Sequence, residues 1–243
     1  MREYPIGDAF GNALLAHLLE GGDAGTHRIE RDDGFMDEEP GATYFDGEAP
    51  WDRPEHRMRP LARGRVLDVG AGAGKHTLPL QEAGIAVTAL DVSPGAIEVC
   101  RRRGVHDTHL GEVATLGPEE RFDTFLLFGN NLGLLGSPQA AQIFLAPLRE
   151  RAAPGARILG TTIDALRTDN PDHLSYHAWN RERGRPAGQI TIRTIHRGVA
   201  TPWHDLLFVG PTELEAVLEG SGWAIDEIFD DGWFIYGVTL RPV

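Results

Sequence analysis

Three glycines at alternate positions follow a short apolar run in the stretch VLDVGAGAGKH, and this pattern is typical of a backbone that binds a ligand closely. The glycines are Gly70, Gly72 and Gly74. Because glycine has no Cβ, the chain can adopt conformations closed to other residues and a ligand can approach the main chain. The stretch therefore raises the question of which ligand it holds.

Two phosphate ligands fit the spacing poorly. A P-loop requires a glycine five positions before its Gly-Lys pair and a Ser or Thr after the lysine, but Val69 and His76 occupy those positions. A dinucleotide fingerprint requires a third glycine three residues after the second, where this chain has Lys75. The sequence thus argues against a triphosphate and against a nicotinamide dinucleotide.

Two acidic residues accompany the glycines. Asp68 lies two residues before Gly70, and Asp91 ends the next predicted strand. A carboxylate at the loop repels a pyrophosphate and attracts an ammonium group, whereas an acid after the second strand can accept both hydroxyls of a ribose. A nucleoside with a cationic amino-acid tail satisfies both acids, and S-adenosyl-L-methionine (SAM) is the common molecule of this kind. An ordinary capping role at strand ends is the alternative.

Strands and helices alternate through the middle of the chain. The alternation predicts an α/β fold with a doubly wound, mostly parallel sheet. The predicted strands cover residues 66–69, 85–90, 106–110, 122–128 and 157–162, and the predicted helices cover 74–83, 94–103 and 138–152.

The flanking segments carry different patterns. Residues 7–20 have helical spacing, and 1–58 is interpreted as an N-terminal helical lid. Alternating residues at 189–196 and 203–209 predict an inserted antiparallel strand pair, and an Asp-Gly turn predicts a terminal hairpin. We expect a single domain made of a lid (1–58), a cofactor-binding core (60–165), an insertion over the active site (166–208), and a C-terminal helix at 211–219 followed by hairpin strands at 223–229 and 233–240 (209–243).

These motifs resemble those of the class I SAM-dependent methyltransferases over about residues 60 to 165. The resemblance rests on DVGAGAG at 68–74, DVS at 91–93, GEV at 111–113 and FDTFLLFGNN at 122–131. It implies a seven-stranded Rossmann-like sheet that ends in an antiparallel pair, with SAM as cofactor. The cofactor-binding residues that it implies are Asp68, Gly70, Ala71, Gly72, Gly74, Asp91, Val92, Gly111, Glu112, Val113 and Asn130.

The chain departs from the family pattern at two places. Glu112 stands where an aspartate is commoner, so an exposed surface role is the alternative for it. The motif Asn-Pro-Pro-Tyr of amine modifiers is replaced by Asn130-Asn131-Leu132-Gly133. Methylation of nucleic-acid amines is therefore not expected.

Acceptor-side candidates come from outside the core. Methyl transfer needs mainly proximity and orientation, with a base where the acceptor must lose a proton. An aromatic and acidic segment and two histidines one helical turn apart fit these needs, with rim or structural roles as the alternative. The candidates are Tyr44, Asp46, Trp51, Asn131, His173 and His177. Leu174 stands where a zinc peptidase would need Glu, so no metal is expected.

Composition limits the partners. Lys plus Arg total 23 and Asp plus Glu total 36, a net charge of −13, which argues against nucleic acid. One cysteine excludes an intrachain disulfide, and no apolar run suggests a membrane span. We expect a cytoplasmic protein acting on a small molecule, whose oligomeric state the sequence leaves open. The arginines between residues 166 and 198 could bind a carboxylate or phosphate of the acceptor, but Arg193 and Arg197 are expected on a solvated strand face.

The sequence therefore predicts methyl transfer from SAM to an O or N atom of a small molecule. Two alternatives keep the fold: a cyclisation, elimination or decarboxylation of a charged small molecule without methylation, or a non-catalytic partner subunit. A nicotinamide enzyme is a third alternative, against which Lys75 argues.

Overall fold

A computed structural model describes residues 3–46 and 53–243. The helices are α1 (Ala9–Glu20), α2 (Arg53–Met58), α3 (Thr77–Glu82), α4 (Pro94–Arg102), α5 (Pro138–Glu150), α6 (Pro171–Glu182) and α7 (Pro211–Leu218). The strands are β1 (His27–Arg31), β2 (Met36–Glu39), β3 (Arg65–Val69), β4 (Ala86–Asp91), β5 (Asp107–Leu110), β6 (Phe122–Leu127), β7 (Ala152–Ile163), β8 (Gln189–His196), β9 (Val199–Ala200), β10 (His204–Leu207), β11 (Trp223–Phe229) and β12 (Ile235–Pro242).

The larger sheet has seven strands in the order β11-β12-β7-β6-β3-β4-β5. β4 and β5 pair in parallel, as do β6 and β7, whereas β12 pairs antiparallel with both β7 and β11. The α/β class, the mostly parallel seven-stranded sheet and its antiparallel end are thus confirmed. The order of strands reverses beside β3, and ligands of such sheets bind at that point, beyond the carboxyl ends of the strands.

The second sheet adds strands to the N-terminal segment. The helix predicted at 7–20 is present as α1, and two strands that were not predicted follow it, since β1 and β2 form a hairpin and β1 also pairs with β8. The inserted pair therefore belongs to a five-stranded sheet in the order β10-β8-β1-β2, with β9 on β8. The sequence HRIER lacks the alternation of apolar and polar residues that predicts a strand, because its buried positions include charged residues.

The buried charges of that sheet overturn one expectation from the sequence. Arg193 of β8 and Glu30 of β1 are each 5% exposed, and the Arg193 guanidinium contacts the Glu30 carboxylate at 2.6 Å. The rings of Tyr4 and Trp203 lie 5.0 and 4.6 Å from the same guanidinium. The expectation that Arg193 faces solvent was therefore wrong, whereas Arg197 is exposed and pairs with the exposed Glu20.

The chain divides into two compact units. The first comprises the described residues of Met1–Trp51 with Leu67–Gly117 and Thr191–His204, and the second comprises those of Asp52–Val66 with Pro118–Ile190 and Asp205–Val243. In the described parts of both units, we find no helix that is long and apolar enough to span a membrane.

Candidate functional site

The glycine loop begins directly after β3 in the first unit. Gly70, Gly72 and Gly74 all have positive φ angles, of 75°, 56° and 78°. The N–H groups of Gly70 and Ala71 both donate to the Leu90 carbonyl, at 2.9 and 3.0 Å. The loop is therefore tied to the end of β4 in a backbone conformation that residues with a Cβ adopt only at a cost in conformational energy.

Two of the glycines serve different purposes. A Cβ at Gly74 would lie 3.1 Å from Val105 Cγ2, so the neighbouring side chain leaves little space for any residue other than glycine. A Cβ at Gly72 would lie 3.9 Å from the nearest atoms, which belong to the rings of Phe10 and Tyr44. At Gly72 a Cβ would therefore make only ordinary van der Waals contact with two aromatic rings, so packing does not exclude a side chain here as it does at Gly74.

Asp91 connects the glycine loop to the segment after β4. Its side chain is buried, with Oδ2 accepting from the Gly72 N–H at 2.9 Å and Oδ1 accepting from the Ser93 N–H at 2.8 Å. Burial raises the pKa of Asp91, the two amides oppose the rise, and repulsion from Asp8 and Asp68 adds to it. Each carboxylate oxygen has a second lone pair, so the group can still accept from two ligand hydroxyls.

Asp68 is 1% exposed at the end of β3. Its Oδ2 accepts from the Thr77 hydroxyl at 2.6 Å, which fixes the carboxylate against the first turn of α3. Its expected role toward an ammonium group stays a prediction.

The other predicted cofactor residues of the first unit lie around β4 and β5. Ala71 and Val113 are buried, whereas Val92 is 65% exposed. Gly111 has a φ of 142° and donates its N–H to the Asp91 carbonyl at 2.9 Å. The Glu112 side chain is exposed, and its carbonyl accepts from the Thr115 N–H. The segment after β5 is thus tied to Asp91 by its backbone.

The predicted aromatic and acidic segment is described only in part. The Tyr44 hydroxyl donates to Glu39 Oε2 at 3.0 Å, and the Tyr44 ring lies 5.0 Å from that of Phe10. Burial, with the Glu39 carboxylate beside it, raises the pKa of Tyr44 well above its usual range. Tyr44 therefore offers its ring rather than its hydroxyl beside Gly72. Asp46 is exposed, and Trp51 lies outside the described residues.

In the second unit, Asn130 follows β6 in a left-handed conformation, with φ 64°. Its N–H donates to Thr161 Oγ1 at 3.0 Å, and its Oδ1 is buried with no partner among the described residues. Asn131 comes next, partly buried, and begins a short 3₁₀ turn over Asn131–Leu135. The turn thus encloses a buried amide oxygen that has no donor in the described part of the chain.

A buried glutamate that the sequence analysis missed holds this turn. Glu55 of α2 is 2% exposed, and its Oε1 accepts from the Gly129 N–H at 2.6 Å and from the Thr161 hydroxyl at 3.3 Å. Since Gly129 also has a positive φ, of 65°, the carboxylate stabilises two successive left-handed residues. Nothing in the spacing of α2 distinguishes Glu55 from a surface acid, so only the fold identifies it.

The predicted pair of histidines lies on α6, one turn apart as expected. His177 is buried on the same helix face as Asn180, whose amide nitrogen donates to the Ala187 and Gln189 carbonyls. His173 is partly exposed, with Nδ1 3.3 Å from Thr168 Oγ1. A structural role for this face of α6 is evident, while an acceptor-side role for either histidine stays a prediction.

The comparisons with known proteins agree with this geometry. Residues 66–155 match the family model described as a methyltransferase domain. A SAM-dependent methyltransferase from Bacteroides fragilis, solved with S-adenosyl-L-homocysteine, is 25% identical with a TM-score of 0.82, over 97% of this chain and 95% of that one.

Two curated relatives match a shorter region. A demethylmenaquinone methyltransferase of Tropheryma whipplei is 31% identical over 117 residues, 46% of this chain and 47% of that protein. A ubiquinone biosynthesis O-methyltransferase of Paramagnetospirillum magneticum is 31% identical over 121 residues, 48% of this chain and 47% of that protein. The chain spans about half the length of these curated relatives. Residues 66–155 thus match a methyltransferase domain, and the strand order is that of the Rossmann-like fold of SAM-dependent methyltransferases.

Proposed function

We propose that this protein transfers a methyl group from SAM to an oxygen or nitrogen atom of a small molecule. The observation that carries the proposal is the buried Asp91 carboxylate, which accepts from the amide of Gly72 at a point in the loop where a Cβ would meet no clash. The likeness to a methyltransferase solved with S-adenosyl-L-homocysteine (SAH) supports the same cofactor.

The residues fit SAM in charge and in shape. Asp91 would accept hydrogen bonds from the ribose hydroxyls, Asp68 would hold the ammonium end, and Gly72 would permit the close approach of the amino-acid tail. When bound, the cofactor supplies a methyl group already activated on a sulfonium. What the chain must then supply is proximity, alignment of the acceptor with the S–CH₃ bond, and a water-poor environment.

The acceptor side is proposed from the second unit. We assign Asn130 to the acceptor instead of the cofactor, for which the resemblance suggested it. Its Oδ1 is buried without a donor among the described residues, and a substrate hydroxyl or amine that reaches it would satisfy it. Both groups carry such a proton, and the names of the relatives favour an oxygen atom only by analogy.

The test has two stages. Calorimetry with SAM and SAH should show binding of both, and Asp91→Asn should weaken it while Asp226→Asn, an exposed acid on β11, should not. Incubation of the protein and SAM with a panel of phenols, catechols and amines should then release SAH. Binding without SAH release from any acceptor would favour a different reaction on this fold, and absence of SAM and SAH binding would refute the proposal.

A further inference from the structure

Asp8, which precedes α1, caps two helices at once. Its Oδ1 accepts from the Gly11 N–H of α1 at 2.9 Å, and its Oδ2 accepts from the Gly95 N–H of α4 at 2.8 Å. The amides at the start of a helix lack partners within the helix, and a carboxylate there also complements the helix dipole. One side chain thus joins the N-termini of the N-terminal helix and of the helix after Asp91.

The two helices also touch through glycine. A Cβ at Gly95 would lie 2.6 Å from the carbonyl carbon of Gly11, and a Cβ at Gly11 would lie 2.3 Å from both Asp8 Oδ2 and Ser93 Oγ. No side chain fits at such distances, so the two backbones are in direct contact. The crossing of α1 on α4 therefore includes direct main-chain contact, which leaves no room for a side chain at either glycine.

Ser93 links this junction to the cofactor residue. Its hydroxyl accepts from the Ala96 N–H at 3.0 Å and lies 2.9 Å from both oxygens of Asp8, to which it donates. Its backbone N–H donates to Asp91 Oδ1 at 2.8 Å. A continuous chain of hydrogen bonds therefore runs from Asp8 through Ser93 to Asp91.

We propose that Asp8 is a positioning residue of the cofactor site, which orients Asp91 through Ser93 and makes the N-terminal helix α1 part of the machinery that binds SAM. The inference rests on the proposed function, since it concerns the residue assigned to the ribose. Asp8 does not contact the cofactor itself and acts only through Ser93 and through its charge.

Because Asp8 is charged, the proposal can be tested by the pH dependence of ligand affinity, which would not change if Asp8 were only a helix cap. The groups that act on Asp91 are the carboxylates of Asp8 and Asp68 and the amides of Gly72 and Ser93. Burial first, and then the two carboxylates, raise the pKa of Asp91. A ligand that donates to the ionised form releases a proton on binding, so its affinity falls as the pH drops below that raised pKa.

The experiment measures SAH affinity by calorimetry from pH 4 to pH 9 for the wild type, Asp8→Asn and Ser93→Ala. Asp8→Asn keeps an oxygen that can cap α1 and removes the charge, so Asp91 ionises more easily and the acid loss of affinity moves to lower pH. One lost hydrogen bond should weaken SAH binding at pH 8 by up to about tenfold. Asp23→Asn, an exposed acid of the same unit, is the matched control and should change neither quantity.

Ser93→Ala separates the two effects. It breaks the link while Asp8 stays charged, so we expect a similar loss of affinity at pH 8 with an unchanged pH midpoint. Circular dichroism confirms folding, and if Asp8→Asn does not fold, Ser93→Ala alone decides. Wild-type affinity in the folded variants, with the Asp8→Asn midpoint unmoved, would overturn this inference alone, whereas a wild type that binds no SAH would overturn the proposed function.

Discussion

The glycine loop and the Asn130 turn both hold backbone in left-handed conformations, but by different means. The loop is fixed by amides and by Asp91, 19 residues from the glycine that it contacts. The turn is fixed by Glu55, 74 residues from Gly129, and by Thr161, 31 residues from Asn130. A site for a constant cofactor can thus be encoded locally, whereas the turn proposed to face a variable substrate is held by residues from distant elements.

The strongest test of this difference is the loss of the Asp91 charge. Asp91→Asn removes one acceptor for a backbone amide and the charged acceptor for the ribose. A hydrogen bond to a charged group contributes about 1.5–3 kcal/mol, so we expect SAH affinity to fall about 10- to 100-fold. Calorimetry measures the change, and Asp226→Asn is the control. Unchanged affinity would show that the acid only ties the loop to β4.

Glu55→Ala tests the other region. It leaves the Gly129 amide without its acceptor, which costs about 1–3 kcal/mol of unfolding free energy, and it should lower kcat about tenfold or more while SAH affinity is unchanged. Urea unfolding and steady-state kinetics measure both effects. Glu55→Gln keeps an oxygen in place and should retain most of the turn.

The control for Glu55 is Glu215→Ala, an exposed acid on α7. If Glu55→Ala weakens SAH binding as much as Asp91→Asn does, the two regions do not act separately. If Glu55→Gln loses as much kcat as Glu55→Ala, the charge itself takes part in the reaction.

These two regions also show what the sequence could predict. The contacts of the cofactor side with SAM stay a prediction. The placement of the glycine loop, Asp68 and Asp91 at the ends of β3 and β4 was predictable, because their spacing is fixed and each residue type has a stated chemical reason. Glu55, Asp8 and the Glu30–Arg193 pair were not, since their roles depend on partners brought together only by folding. The strand β1 was not predicted for the same reason, because its charged residues are buried against partners from β8.

A smaller contrast lies within the loop. Gly72→Ala places a methyl group in ordinary contact with the rings of Phe10 and Tyr44 at φ 56°, so it should cost about 1 kcal/mol of unfolding free energy from backbone strain and should weaken SAH binding. Gly74→Ala adds a tight contact with Val105 and should destabilise the fold more. Thermal unfolding and calorimetry compare them with Gly84→Ala, which has φ 81° and no neighbour within 4 Å. Equal SAH affinity in the Gly72 and Gly84 variants would contradict the assignment of Gly72.

The smallest expected effect concerns Cys100. Its Sγ lies 3.3 Å from the Gly72 carbonyl, and burial, with the charges of Asp68 and Asp91, raises the pKa of the thiol to about 12. The reactive thiolate is therefore scarce at pH 8, and a disulfide reagent should label the native protein slowly and the urea-unfolded protein fast. An exposed thiol introduced as Glu215→Cys gives the reference rate. Fast native labelling of Cys100 would show that the loop opens.

The contact between Gly11 and Gly95 has a consequence for how this sequence can diverge. A single exchange at either position would drive a new methyl group into main-chain or capping atoms, so neither site can drift alone. Among homologues that keep this helix crossing, the pair should be inherited together, and sequences that have lost one glycine should have lost the other and moved the first helix.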